Sequence, residues 1–398
     1  MIMNGEHQRP LRVLHIVDTL GVGGAETWLI QLLRHWAGTK GVEADILLTS
    51  GRAGVFDDEA ASLGAQLFYV RYGRSDLVGF AGSYRKILQQ DDYNAVHDHQ
   101  DYTSGWRWLL SYGLRPPIRV SHVHNPIMHY HSNYSISFSR RCTAAVGRFL
   151  MARLATHVCG TSAQLLGEYG FEPGARQKPT VSAVHCGIDV ARFNGDAAAA
   201  RSSLRGEFGW PESSQIILFA GRLDRAMEFD HPQNHKNSWF ALHAAKAAAS
   251  RDQTVRLLMA GGGDEMRAQL ESVIAEWGLS NRFRLVGVRH DMPRLMRGSD
   301  VLLFPSRQEG LGMVAVEAQA AGLPVLASTA VPRECVVLPE LCEFLPLAEG
   351  PSAWGETLLR AMERPHLPMM RCRKAFVGSP FSIEESAASL ERIYRGES

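Results

Sequence analysis

Short apolar runs and amphipathic stretches alternate along almost the whole chain. LRVLHIV at 11–17 leads into a glycine-rich break and then into AETWLIQLLRHW at 25–36, whose apolar positions recur at helical spacing. ADILLT, QLFYV, NAVH, IRVSHV, THVC and TVSAV continue the series as short strands, with helical stretches between most of them. The pattern weakens between about 190 and 214, where FNGDAAAARSSLRGEFGWPESS is small, polar and rich in Ala and Ser. That stretch reads as an inter-domain linker. A second series starts beyond it: QIILFAG, VRLLMAGG, FRLVG, DVLLFPS and LPVLAS each end in Gly, Pro or Ser. Short apolar strands alternating with helices predict parallel sheets with helices on both faces. The chain is therefore expected to be α/β, in two domains.

Composition supports this and narrows it. A chain of 398 residues exceeds one ordinary core. With 45% hydrophobic and 21% charged residues it has the balance of a globular enzyme. A formal net charge of +1 argues against a nucleic-acid partner bound through bulk charge. The segment MIMNGEHQRP lacks the apolar core of a signal peptide, and no stretch approaches a membrane-spanning length. Six scattered cysteines without a C-x-x-C pair read as free thiols in a reducing compartment. A cytoplasmic location is expected, with peripheral contact at the inner face of the membrane open.

Five constellations carry candidate chemistry. GVGGAE at 21–26 follows the first strand; Gly21, Gly23 and Gly24 match only part of a G-x-G-x-x-G turn, which lets backbone approach a ligand ahead of a helix N-terminus. FPSRQEGLGMVAVEAQAAGLPVLAS at 304–328 is a strand end, a glycine turn and a helix stopped by Gly322 and Pro324. Glu309 precedes that turn and Glu317 lies on the helix. Carboxylates at the carboxyl end of a parallel sheet can accept bonds from ribose or sugar hydroxyls, and the N–H groups around Gly310, Leu311, Gly312 and Met313 can meet a diphosphate. AGRLDRAMEFDHPQNHKN at 220–237 offers Arg222 and Lys236 as fixed cations for phosphates.

The fourth constellation is VHDHQDYTSG at 96–105 with RVSHVHN at 119–125. His97, His99, His122 and His124 have the H-x-H alternation that points two rings to one face of a strand. Only Asp98 and Asp101 are at hand to complete a ligand set, so a polar wall hydrogen-bonding sugar hydroxyls is expected in place of a metal site. The fifth, FSRRCTAAVGRFLMARLATHV at 138–158, interleaves Arg140, Arg141, Arg148 and Arg153 with Phe138, Val146, Phe149 and Leu150. It reads as a core helix with a charged outer face, with a basic amphipathic helix touching anionic lipid as the alternative.

EGLGMVAVE, with Glu309 and Glu317, reproduces the E-x7-E motif of retaining GT-B glycosyltransferases. GVGGAE, AGR with a following Lys-Asn, LLMAGGGDE, FRLVGV and SDVLLFPS occur in the matching order, so nearly the whole chain resembles glycosyltransferase family 4. RVSHVHN resembles the bacterial capsule and exopolysaccharide members. The resemblance implies two Rossmann-like parallel-sheet domains facing a central cleft. Residues 1–195 would form the N-terminal acceptor domain, joined by a returning helix in 378–398, and 206–377 the donor domain. It implies that Glu317 binds the donor ribose, that Glu309 faces the donor sugar and that Arg222 and Lys236 hold the diphosphate. It places Gly23 and Gly24 against the phosphates and the acceptor side, and His124 on the transferred sugar.

The gap between Arg222 and Lys236 is longer than the family pattern, and HCGID at 185–189 has Cys186 where the family has Asn. No D-x-D stands at a strand end, which fits transfer without a metal or cofactor. The donor would be UDP- or GDP-linked, and the acceptor a glycan, a lipid-linked or a small molecule. Two other readings stay open: a GT-B relative such as an epimerase or phosphorylase, and a silent nucleotide-sugar-binding subunit. Epimerases lack the E-x7-E context, phosphorylases need a pyridoxal lysine with no evident place here, and intact Glu309, Arg222 and Lys236 argue against silence.

Overall fold

The computed structural model describes residues 9–73, 75–114, 116–127, 138–174 and 178–397. The chain divides into two compact units. The first comprises Met1–Asn125, Ile136–Ile188 and Pro380–Ser398, and the second contains Asp189–Ser379.

The first unit is built on seven parallel strands: β1 (Leu11–Val17), β2 (Val42–Leu48), β3 (Leu67–Tyr69), β4 (Ala95–Asp98), β5 (Ile118–Val123), β6 (His157–Gly160) and β7 (Thr180–Ala183). Their order is β3-β2-β1-β4-β5-β6-β7. The order reverses between β1 and β4, the kind of switch point at which open α/β sheets place ligands. β4 and β6 are buried at every residue, as strands covered on both faces should be. The first helix, Gly24–Thr39, buries Trp28, Leu29, Leu32, Leu33 and Trp36 on one stripe and stops at Lys40 in the left-handed region.

The last helix, Ile383–Arg395, returns to this unit and packs on the first helix and β1. Its buried residues Ile383, Ser386, Ala387, Leu390, Ile393 and Tyr394 recur every three or four positions. Ser382 caps its start by accepting from Glu385 N, and Gly396 ends it with φ 73°. HCGID serves this docking. Gly187 approaches the last helix so closely that a Cβ there would lie 2.6 Å from both the Ser382 carbonyl oxygen and Ser386 Cβ. Ser386 Oγ accepts from Trp28 Nε1 (3.0 Å) and Gly187 N (3.2 Å) and donates to the His185 carbonyl (2.9 Å).

The second unit carries six parallel strands: β8 (Gln215–Ala220), β9 (Val255–Ala260), β10 (Phe283–Gly287), β11 (Val301–Phe304), β12 (Val325–Ser328) and β13 (Cys342–Leu345). They are ordered β10-β9-β8-β11-β12-β13. Its core joins β8, β9 and β11 to the alanine-rich helix Ser238–Arg251 and to Trp354, which meets Phe240 edge-on at 5.3 Å.

The stretch read as a linker is structured instead. Ala197–Phe208 is a helix capped by Asp196 and closed by Gly209 at φ 65°. It is pinned by Arg201 to Asp300 at 2.5 Å and by the buried Arg205 to Asp300 at 3.3 Å. Alanine is the best helix former, and charge pairing replaces the apolar stripe that periodicity looks for.

Candidate active site

In the second unit the glutamates and cations stand at the carboxyl ends of β8 and β11. The chain leaves β11 through Pro305 and Ser306, turns at Gly310–Gly312 and enters the helix Met313–Ala320. Gly312 has φ 93°, and a Cβ there would lie 3.0 Å from Val331 Cγ1 and 3.1 Å from Phe304 Cε1. Only glycine fits, and as N-cap it supplies no side-chain acceptor. The helix therefore opens with N–H groups that have no intrahelical partner, and they carry its positive end.

Glu309 is 8% exposed and its Oε1 is held by Lys236 Nζ at 2.6 Å and by Ser306 Oγ at 2.7 Å. The long gap before Lys236 thus folds aside. The Asp224 carboxylate accepts from Lys236 N (3.1 Å) and Ser238 N (2.9 Å), and Asn237 adopts φ 61° between them. Burial pushes the Asp224 carboxyl up from its ordinary value while these backbone N–H groups pull it down. The inserted residues lie against the β11 loop, where Arg307 N donates to the His235 carbonyl (2.8 Å) and Arg307 Nη1 to that of Phe229 (2.8 Å). The Lys236 stem then packs over Gly221, next to Arg222. Arg222 is exposed, and its positive charge is felt at Asp224 and His235.

Glu317 lies one helical turn inside Met313–Ala320 and keeps partial exposure. Its packed surroundings nevertheless push its carboxyl up to about 7, opposed by the charge of Arg192. Glu309 and Glu317 are thus brought to one strand end, one ion-paired and one with no ion pair among the described residues.

In the first unit the glycine turn holds a carboxyl of its own. Gly23 caps the first helix, and a Cβ there would collide with Glu26 Oε2, so the glutamate folds back over the helix start. Burial, followed by the charge of Asp18, raises the Glu26 carboxyl against the local backbone N–H that lowers it.

The histidines do not form a polar wall. His15 and His97 are register partners on β1 and β4, and residues two apart on a strand share a face. His97, His99, His122 and His124 therefore join His15 on the face beneath the first and last helices. His15, His97, His99 and His122 are buried and only His124 retains partial exposure. His15 Nδ1 meets His99 Nε2 at 3.0 Å, and His99 Nδ1 meets His124 Nε2 at 3.1 Å. His97 Nδ1 meets Tyr394 Oη at 2.6 Å, and His97 Nε2 meets His122 Nδ1 at 3.0 Å. Trp28 lies edge-on across His97, His99 and His122.

Burial pushes all five imidazoles below their ordinary pKa, His15 to about 3. The two aspartates do not join them. Asp98 is locked to Arg107 in a fully buried pair, and Asp101, at φ 50°, accepts from His124 N at 2.7 Å and from Asn125 Nδ2 at 3.0 Å.

Sequence reasoning missed His15, Trp28, Ser386 and Tyr394, which belong to segments far apart in the chain. It also missed Asp224 and Ser306, whose only signal is adjacency to AGR and to the strand end. The helix Phe138–Leu154 departs from the core reading: among its residues only Gly147 and Met151 are buried, while Phe138, Val146 and Phe149 are exposed.

Comparison with known proteins accounts for both units. Residues 22–192 match the model described as Glycosyltransferase Family 4, and residues 214–364 the one described as Glycosyl transferases group 1. The chain is 29% identical over 389 residues to the putative glycosyltransferase EpsF of Bacillus subtilis (strain 168), covering 96% of each. It is 26% identical to a D-inositol 3-phosphate glycosyltransferase of Corynebacterium urealyticum, over 81% of this chain and 76% of that one. Among solved structures, Anabaena Alr3699/HepE in complex with UDP superposes with a TM-score of 0.74 at 19% identity, over 97% of this chain and all of that one. WaaG, a glycosyltransferase involved in lipopolysaccharide biosynthesis, superposes at 0.70 and 16% identity, over 96% of this chain and all of that one. Two parallel-sheet units of this kind are the GT-B fold, and with glycosyltransferase models matching both of them the chain is a glycosyltransferase, of the Family 4 type over residues 22–192 and of the group 1 type over residues 214–364.

Proposed function

We propose that the enzyme moves a hexosyl group from a UDP- or GDP-linked sugar to a glycan, lipid-linked or small-molecule acceptor, with retention of configuration and without a metal ion. Cell-surface polysaccharide or glycoconjugate synthesis is its setting. The observation that carries the reading is the Lys236–Glu309 pair beside the glycine-capped helix at the end of β11. A leaving nucleoside diphosphate gains charge as the bond to the sugar breaks, and preorganised cations and helix N–H groups stabilise that charge. Arg222, Lys236 and the turn Gly310–Met313 are assigned to the diphosphate, Glu317 to the ribose, and Glu309 and His124 to the sugar. Gly23 and Gly24 keep the backbone low on the acceptor side.

The acceptor oxygen attacks the anomeric carbon on the face from which the diphosphate departs. The carbon–oxygen bond to phosphate breaks, and the hydroxyl proton passes to the leaving phosphate oxygen. Alr3699/HepE, solved with UDP-glucose, supports a nucleotide-sugar donor.

The test is transfer from α-linked UDP- and GDP-sugars in excess chelator, with the product anomer read by NMR. An α product that persists with chelator is expected, together with a fall in kcat at least as large as the rise in KM for Lys236→Ala. A β product, or activity abolished by chelator, refutes the mechanism.

We also place the enzyme at an anionic membrane surface through the helix Phe138–Leu154. Phe138, Val146 and Phe149 are exposed there beside Arg140, Arg141 and Arg153, and no helix among the described residues is long and apolar enough to cross a membrane. Flotation with phosphatidylglycerol vesicles but not with phosphatidylcholine vesicles is expected, and Phe149→Ser should weaken it. Equal recovery with both lipids rules this out.

A further inference from the structure

The imidazole layer is wired in two rows. One runs from His15 through His99 to His124, the other from Tyr394 through His97 to His122. A neutral imidazole carries one N–H and one lone pair. Each row can therefore be polarised in only two ways, and the state of one end fixes every proton along it.

The inner end of the first row decides its direction. His15 Nε2 is buried and has no hydrogen-bond partner among the described residues. Were the row to point inward, His124 and His99 would each donate from Nε2, and His15 would bury an N–H without an acceptor. Pointing outward, His15 and His99 donate from Nδ1, and the unpaired atom is a lone pair. Orphaned buried donors are the rarer of the two in folded proteins. By the same rule His122 Nε2, also buried without a hydrogen-bond partner among the described residues, is a lone pair, so His122 donates from Nδ1 to His97 Nε2 and His97 donates from Nδ1 to the Tyr394 hydroxyl oxygen.

We propose that His15 and His99 are positioning residues that fix His124 as its Nδ1–H tautomer. His124 then presents a neutral hydrogen-bond donor to an oxygen of the transferred sugar. This rests on the assignment of His124 to the sugar. Its Nε2 is engaged by His99, and its Nδ1 has no hydrogen bond among the described residues. Asp101 fixes the His124 backbone, so both the place and the proton of the ring are set from beneath.

The same nitrogens lie close enough to be considered as metal ligands, in the sets His15, His97, His99 and His99, His122, His124. The ring planes argue otherwise. His97 stacks on His99 at 4.0 Å and His122 on His124 at 4.2 Å, so their lone pairs run side by side instead of converging, and ligation would break both rows.

The test is two-bond proton–nitrogen NMR on the full chain labelled with 15N-histidine, near pH 7.5 and without substrate. The wild-type His124 is expected as Nδ1–H, identified by its absence in His124→Gln. In His15→Met an acceptor that carries no proton faces His99 Nε2, so His99 should donate to it and His124 should turn to Nε2–H. His15→Asn, whose amide can donate from near the Nδ1 position, should keep Nδ1–H. Transfer by His15→Met should fall about tenfold, the loss of one neutral hydrogen bond at its upper range, with nucleoside diphosphate affinity unchanged. A wild-type Nε2–H tautomer overturns the proposal, as does Nδ1–H retained in His15→Met. The wild-type measurement decides even if that variant fails to fold. One equivalent of Zn²⁺ that shifts these resonances would assign the layer to a metal and also overturn it. Normal transfer by His124→Gln would instead refute the sugar contact and leave the tautomer result standing.

Discussion

Glu309 and Glu317 belong to one short motif but occupy opposite surroundings. Glu309 is ion-paired with Lys236 and accepts from Ser306, whereas burial holds the Glu317 carboxyl at about 7 with Arg192 opposing. A carboxylate accepts two hydroxyls well only when ionised. Nucleotide affinity should therefore rise with pH through the region around 7 and then level off, with proton release on binding. Glu317→Gln should bind more weakly at pH 8, by roughly 1.5–3 kcal/mol for each charge-assisted bond lost, and its affinity should not follow pH. Calorimetric titration of both proteins from pH 6 to pH 8 checks this; a flat wild-type profile contradicts the ribose assignment. At this scale the motif was readable because its carboxylates and glycines are contiguous. The surroundings that set Glu317 apart were not, since Arg192 comes from more than a hundred residues upstream.

Elements were legible where burial follows a period and obscure where it does not. The strands announced themselves as apolar runs and the first helix as a stripe, while the last helix was expected from the family resemblance. Ala197–Phe208 did not, because its anchors are Arg201, Arg205 and Asp300, which look like surface charges in sequence. HCGID departs from the family pattern at Cys186, and Gly187 and Ser386 show the segment serving the last helix. Ser386→Ala would leave the buried Trp28 Nε1 and Gly187 N without their acceptor. Each orphaned donor costs about 1–3 kcal/mol, so the first unit should melt several degrees earlier. Hydrogen exchange should show the last helix opening before the rest of that unit. An unchanged melting temperature, or exchange that rises uniformly, would show that apolar packing alone docks the helix.

At the scale of the molecule the two units differ in how strongly acid weakens them. Sequence reading recognised two α/β domains and four of the five clustered histidines, yet not that the histidines would be interior. H-x-H alternation reports a shared face and says nothing of which helix covers it. In the first unit His15, His97, His99, His122 and His124 all have pKa values pushed below the ordinary 6.5. The unfolded chain then binds more protons than the folded one, so stability is fully present above about 6.5 and is lost as pH falls toward the folded values. Each ring contributes a loss approaching about 1.4 kcal/mol per pH unit below 6.5. Together, a drop of one or two units consumes much of a typical domain's 5–15 kcal/mol margin. Glu317 in the second unit has a raised pKa, so its contribution is fully present below about 4.5 and is lost as pH rises through about 7. Acidification from pH 7.5 to 5.5 should thus destabilise the first unit more than the second, where the lowered His235, His243 and His366 are set against the raised Glu317. Calorimetry should split the unfolding into two transitions, and hydrogen exchange at pH 5.5 should mark β1, β4 and the last helix as the part that opens. His97→Phe with Tyr394→Phe, which removes one titrating ring and its partner together, should flatten the acid limb. A first unit whose melting temperature is indifferent to pH across that range would mean that the imidazole layer takes up protons without opening.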